Sequence, residues 1–314
     1  MQAKSSDIHY CGVRKECIAN AKPILRPEET KLFAHWIRER YHIRLLKEIE
    51  KRPKPWTQDL ILQKYKFTNV RREHDRETRW LMQNVCLNKS LSYENKLLNC
   101  ILFRLFNKSQ TLEHIGLIDF NDVNYNKLRN RFECAAFVLF SYAFYTSGPK
   151  AAANKLFPDE TNKSMRIIRL VIKDKQDGVI EKISKSTTPQ QVFKTLEECP
   201  GLGRFLAYQI FVDFTYIHEF PFSENEFVVA GPGCKKGLGL LFSDKDGLTD
   251  EELLFWLRDN QPRILGDLTK ILTDLPLNER KLSVMALQNC MCEFSKYIRA
   301  VRHEGRPRIR YPGI

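Results

Sequence analysis

The sequence predicts a mainly α protein. Three observations carry that reading: apolar residues recur at helical spacing through most of the chain, strand-like alternation is scarce, and capping residues recur ahead of the apolar runs. From 28 to 52, Leu32, Trp36, Ile43, Leu46 and Ile49 mark one helical stripe, which Pro53 and Pro55 end. Thr57 is the expected N-cap of a restart, and another helix is expected to begin near Asp75. Residues 92–106 and 132–146 are apolar on more than one face, so both are expected as central helices. Shorter helices are expected across 148–188. Thr188 followed by Pro189 opens a helix ending at Cys199, and a second covers 204–218. Glycine and proline are frequent across 221–239, and the last helices are expected at 249–259 and 279–301. The resulting organisation is an N-terminal arm (1–27), a helical domain of two lobes (28–305) and a basic tail (306–314).

Composition narrows the classes of function. The 314 residues are 43% hydrophobic and 28% charged, the balance of a globular chain. Lys and Arg number 51 against 38 Asp and Glu, for a net charge of +13, which points to a polyanionic partner. No signal peptide is expected from the N-terminal residues, and the run from Ala135 to Phe140 is far shorter than a membrane span needs. Nine cysteines, an odd number scattered through helical segments, read as free thiols of a reducing, intracellular compartment. That compartment is the nucleus for a eukaryotic source, or wherever host DNA resides for a viral one. Cys290 and Cys292 lack a second ligand pair, so they read as buried thiols; no metal and no cofactor is expected.

The most informative motif is Leu196 to Arg204, Leu-Glu-Glu-Cys-Pro-Gly-Leu-Gly-Arg. A helix ends, glycines turn the chain, and another helix starts at once, which describes a helix-hairpin-helix within about 190–218. The amides of Gly201, Gly203 and Arg204 then point outward at a positive helix end suited to a phosphate oxygen. Leu202 is expected to plug the space between the helices, while the missing glycine side chains let a DNA backbone approach. The hairpin suggests a DNA-glycosylase-like helical fold. A bend packed inside the protein, or ringed by acids, would remove the DNA assignment. In base-excision glycosylases built on this hairpin a catalytic aspartate follows the second helix. Here 227–233 holds no carboxylate, Glu224 and Glu226 precede the apolar triplet, and Asp213 lies within the helix.

The stretch from Cys199 to Gly237, CPGLGRFLAYQIFVDFTYIHEFPFSENEFVVAGPGCKKG, resembles the helical domain attached to phage 5-hydroxymethyluracil DNA kinases. It is also similar to the α-glutamyl/putrescinyl-thymine pyrophosphorylases, which are amino-acid:DNA transferases. PWTQDLILQKYKFTNVRREHDR from Pro55, NCILFRLFNK from Asn99 and CEFSKYIRAVRHEGRPRIRY from Cys292 extend the likeness over most of the chain. The resemblance implies DNA base hypermodification, in which an amine displaces pyrophosphate from an activated 5-hydroxymethyluracil. A kinase needs GxxxxGK[ST], and Gly231-Pro232-Gly233-Cys234-Lys235-Lys236 lacks the second glycine in register. The expected activity is therefore the transferase. Its expected partners are double-stranded DNA carrying a modified thymine, an amine or amino-acid co-substrate, and a separate DNA-base kinase, with no membrane. The alternatives are a non-catalytic DNA-binding module and a glycosylase acting on modified thymine.

Such a displacement needs cations on the leaving pyrophosphate, a base for the amine and a flipped nucleotide. Arg71, Arg72, Arg76, Lys235 and Lys236 are the candidate cations, with Gly231 and Gly233 close to the flipped base or simply forming a turn. Asp213, in an apolar helix, is the candidate general base, or alternatively half of a buried ion pair with Arg71 or Arg72. Asp75 is the second candidate carboxylate, with a salt bridge along its own helix as its other fate. Lys296, Arg299, Arg302 and Arg306, followed by Arg308 and Arg310, read as a basic strip for backbone phosphates.

Overall fold

The computed structural model describes residues 14–141, 147–267, 270–276 and 279–311. The chain divides into two compact units: one formed by the chain up to Asp75 and again from Glu224, the other by Arg76–Ser223. Among the described residues there are sixteen α-helices and one two-stranded sheet, so the molecule is mainly helical.

The discontinuous unit begins with α1 (Lys15–Asn20), α2 (Pro27–Arg44, continued by a π turn at Leu45–Ile49) and α3 (Leu60–Lys64). The cap of α3 is Asp59, whose Oδ1 accepts the amides of Ile61 and Leu62 at 2.8 and 3.0 Å; Thr57 instead donates its hydroxyl to Glu39. The described part of the N-terminal arm is packed. Arg14 forks onto Glu252, and Ile24–Leu25 (β1) pairs antiparallel with a strand at Phe242–Asp244.

The continuous unit holds α4 (Arg76–Leu81), α5 (Tyr93–Phe106), α6 (Ser109–Ile115), α7 (Tyr125–Glu133) and α8 (Ser147–Leu156). It continues with α9 (Lys163–Gln176), α10 (Val179–Ser184), α11 (Pro189–Glu198) and α12 (Arg204–Phe214). Ser92 caps α5 through the Asn95 amide, and every residue from Asn95 to Phe106 is buried, as expected of a central helix surrounded by α9, α10 and α12.

The helix expected over 132–146 does not form where it is described. Helix α7 ends at Glu133, residues 134–141 are irregular, and 142–146 lie outside the described residues. Tertiary partners take over the backbone of this stretch. The Ser141 amide donates to the Phe106 carbonyl at 3.0 Å, Thr111 Oγ1 donates to Leu139 O at 2.5 Å, and Phe140 stacks on Phe106 at 4.7 Å. Apolar content was a poor guide there, because these carbonyls and amides find partners on α5 and α6 rather than in a helix of their own.

The chain re-enters the first unit with α13 (Pro232–Leu241), β2 (Phe242–Asp244), α14 (Asp250–Asp259), α15 (Gln261–Leu265) and α16 (Val284–Val301). Gly231-Pro232-Gly233 is the start of α13, with Gly231 as N-cap, and not a free loop. The last helix starts at the Ser283 cap, later than the expected 279. The tail is pinned: the Lys66 amide donates to Ile309 O at 3.0 Å and the Tyr311 amide to Lys64 O at 3.1 Å. The eight described cysteines are free. No described helix is long and apolar enough to cross a membrane.

Candidate nucleic-acid interface and polar cluster

Helix α11 is opened by a reciprocal capping box between Thr188 and Gln191, and it delivers Cys199 to the turn. The Leu202 amide closes that turn onto Cys199 O at 3.1 Å, with Gly201 at φ +84°. Leu202 is buried beneath it, as expected of a plug. The two glycines serve different ends. A Cβ on Gly201 would lie 2.7 Å from Pro149 Cα, so Gly201 permits a close approach of the chain to α8 rather than of DNA. A Cβ on Gly203 would meet nothing within 4 Å, and no side chain caps α12 at that residue. The start of α12 is therefore open, and Arg204 and Phe205 are exposed beside it. Among the described residues, the acid paired with Arg204 is Glu197, at 3.9 Å, and the Arg204 guanidinium also lies 5.4 Å from the Phe193 ring. This geometry can receive an anion on amides at a positive helix end.

Asp213 and Asp174 are buried carboxylates of the same unit. Asp213 is wholly enclosed and forms a forked ion pair with Arg104: Nη2 to Oδ1 at 2.6 Å, and Nε to Oδ2. The partner is Arg104 rather than Arg71 or Arg72, and Arg104 also donates to Asn107 Oδ1 at 2.8 Å. With both oxygens held and no solvent access, Asp213 anchors α12 to α5. Asp174 sits on α9 next to Cys199. Burial, reinforced by Asp177, pushes its carboxyl up to about 7, and its Oδ1 has no hydrogen-bond partner among the described residues.

In the discontinuous unit, the Arg71–Asp75 segment folds into a polar cluster. Arg71 pairs with Glu73 and donates from Nη1 to Glu279 O at 2.7 Å. Burial, then the nearby charge of Glu73, raises the Glu224 carboxyl above its ordinary range; Ser283 Oγ donates to it at 2.9 Å and Arg71 pulls the other way. Tyr41 donates to Asp274, which also receives Arg44 at 2.5 Å, and His74 packs against the Tyr41 ring at 5.8 Å. Asp75 makes no bridge along a helix. Its Oδ1 accepts the Asn69 amide and Nδ2 at 3.0 and 2.9 Å, and burial raises its carboxyl despite those bonds. Arg72 is half-buried, whereas Arg76 is exposed and pairs with Glu77. Glu73, Glu224, Tyr41 and Asp274 carry no common signature in the sequence. Asp274 is 233 positions from Tyr41, and no local spacing signals that contact.

The remaining candidates separate. On α13, Lys235 lies 3.8 Å from Asp250 and Lys236 is exposed. Gly231 is open, whereas a Cβ on Gly233 would fall 2.5 Å from Cys292 Sγ, so Gly233 serves helix packing. The basic strip is not uniform. Lys296 is neutralised by Glu293 and Arg302 by Glu29, and Arg299 donates weakly to Glu304 O at 3.4 Å. Arg306 is exposed on the pinned tail.

Residues 28–306 match the family described as "5-hmdU DNA kinase, helical domain". The chain is similar to a "5-hmdU DNA kinase" of Bacillus phage SP10, with 29% identity over 279 residues, covering 82% of this chain and 43% of that protein. It thus spans less than half the length of that curated relative. No solved structure matches. With the family matched from α2 to the pinned tail, the chain belongs to the 5-hmdU DNA kinase helical-domain family.

Proposed function

We propose that the chain binds double-stranded DNA through a helix-hairpin-helix formed by α11 and α12, on a DNA-glycosylase-like scaffold, and acts in thymine hypermodification. The observation that carries this reading is the open, uncapped start of α12 at Gly203, in a member of the 5-hmdU DNA kinase helical-domain family. The finer reading is a transferase: an amine replaces the pyrophosphate of an activated 5-hydroxymethyluracil that a separate DNA-base kinase helps to supply. Glu224 is the proton acceptor for the amine, since a half-buried carboxyl with a raised pKa is a stronger base than an exposed one. Arg71 and Arg72 face the leaving pyrophosphate, and Asp213 and Asp75 act as positioning groups.

Nucleoside mass spectrometry tests this directly, using pyrophosphorylated hydroxymethyluracil DNA, the protein and a pool of amines. A new aminated nucleoside, lost in Glu224→Gln while DNA affinity is kept, is the expected result. An unchanged base profile with tight DNA binding would instead favour a non-catalytic module, a reading that the full enclosure of Asp213 supports. Alkali-labile abasic sites would identify a glycosylase.

A further inference from the structure

The segment after α16 alternates: Arg306, Arg308 and Arg310 are separated by Pro307 and Ile309. The segment bends at Arg308 and is held at its far end. An antiparallel bridge joins Arg310 to Tyr65, flanked by the two backbone hydrogen bonds to Lys64 and Lys66. Pro307 and Tyr311 are buried, and the three arginines line one open cavity of about 400 Å³ with Pro307.

The charges around this segment are not compensated as Lys296 and Arg302 are. Among the described residues, Arg306, Arg308, Arg310, Lys47, Lys64 and Lys66 form no ion pair. Several are instead held over aromatic faces: Lys47 lies 5.7 Å from the Trp56 ring and 5.9 Å from that of Tyr311, and Arg310 lies 5.8 Å from that of Tyr65. Burial, then Lys66, Arg40 and Lys54, depresses the Lys47 ammonium, with Glu48 opposing. Like charges gathered this way repel until a polyanion neutralises them.

We propose that Arg306, Arg308 and Arg310, together with Lys66 and Lys47, form a second backbone-phosphate site for duplex DNA, in the unit that does not contain the α11–α12 turn. The row suits successive phosphates of a strand better than a single small anion. Its occupant rests on the DNA-binding reading above, but its residues are independent of the turn.

Fluorescence anisotropy of a short duplex, titrated between about 50 and 200 mM salt, provides the test. For the triple variant Arg306→Gln, Arg308→Gln, Arg310→Gln, the slope of log affinity against log salt should become shallower by about 2 to 3, because each phosphate contact contributes about 0.9. The triple Lys variant should retain the wild-type slope, and unchanged circular dichroism establishes that each variant folds. Should the Gln triple not fold, Arg308→Glu alone should reduce the slope by about 1. Gly203→Asp, which places a carboxylate at the turn, probes the other site. Wild-type affinity and slope in the Gln triple, with binding lost in Gly203→Asp, would overturn this site and leave the functional reading intact. Full binding in both variants would overturn both. Arginine-dependent binding to phosphatidylserine vesicles without duplex binding would reassign the surface to a membrane and overturn the proposal.

Discussion

Helices α12 and α13 both start at a glycine, yet different forces hold them. At each start one glycine is open, Gly203 or Gly231, and its neighbour is pressed against the protein, Gly201 on Pro149 and Gly233 on Cys292. Helix α12 is then anchored by the enclosed Arg104–Asp213 pair. Helix α13 is anchored by closeness: a Cβ on Gly237 would stand 2.2 Å from the Met291 carbonyl oxygen on α16. The first anchor fails when a charge is removed, and the second when a methyl is added. Two similar glycine motifs therefore say nothing by themselves about what keeps each helix in place.

The largest effect should come from breaking the charge anchor. Asp213→Asn leaves the Arg104 guanidinium buried without its counter-ion and should cost about 3–5 kcal/mol in urea unfolding. The double variant Arg104→Met, Asp213→Leu should recover most of that loss, because two apolar groups need no partner. An equal loss in the double variant would show that packing, and not charge, dominates at α12.

Gly237→Ala should cost about 2–3 kcal/mol, since α16 must move to admit the methyl. Gly239→Ala, on the same helix with nothing within 4 Å, should be neutral or stabilising by up to about 1 kcal/mol. Equal effects at the two positions, in the same urea titration, would refute the close-crossing account.

At the turn itself, Gly201→Ala should cost about 2 kcal/mol from its positive φ and the approach to Pro149, whereas Gly203→Ala should change thermal unfolding by only a few tenths. Similar costs would mean that Gly203 is as confined as Gly201.

Asp174, beside the same turn, adds a pH term. Its folded pKa of about 7 lies above the ordinary carboxylate value, so the folded state favours the protonated form. Its contribution to stability is therefore greatest below about pH 4, falls as the pH rises to about 7, and is flat beyond. Asp174→Asn should be more stable than wild type by about 2 kcal/mol at pH 8 and close to it at pH 4, read by urea unfolding at both values. A constant difference would rule out ionisation as the cause.

Much of the helical frame was readable locally. The helices expected at 92–106 and 249–259, the Thr188-Pro189 start of α11 and the Leu202 plug depend on residues within a turn of one another. The candidate site was less so. Asp213 was singled out correctly as a buried carboxylate in an apolar helix, but its partner lies 109 positions away on α5. The basic strip looked continuous until Glu29 and Glu293 neutralised Arg302 and Lys296. Glu224 reads as an unremarkable carboxylate until Ser283 and the Arg71–Glu73 pair gather around it.

By itself the sequence determined the helical class, the positive charge and the position of the glycine turn, because composition, capping and backbone freedom act within a few residues. Only the tertiary structure decided which glycine stays open, which charge stays uncompensated and where the 132–146 segment finds its hydrogen bonds. Those outcomes depend on groups brought together across long stretches of chain, where burial sets the strength of every charge and leaves no room for an unplanned methyl.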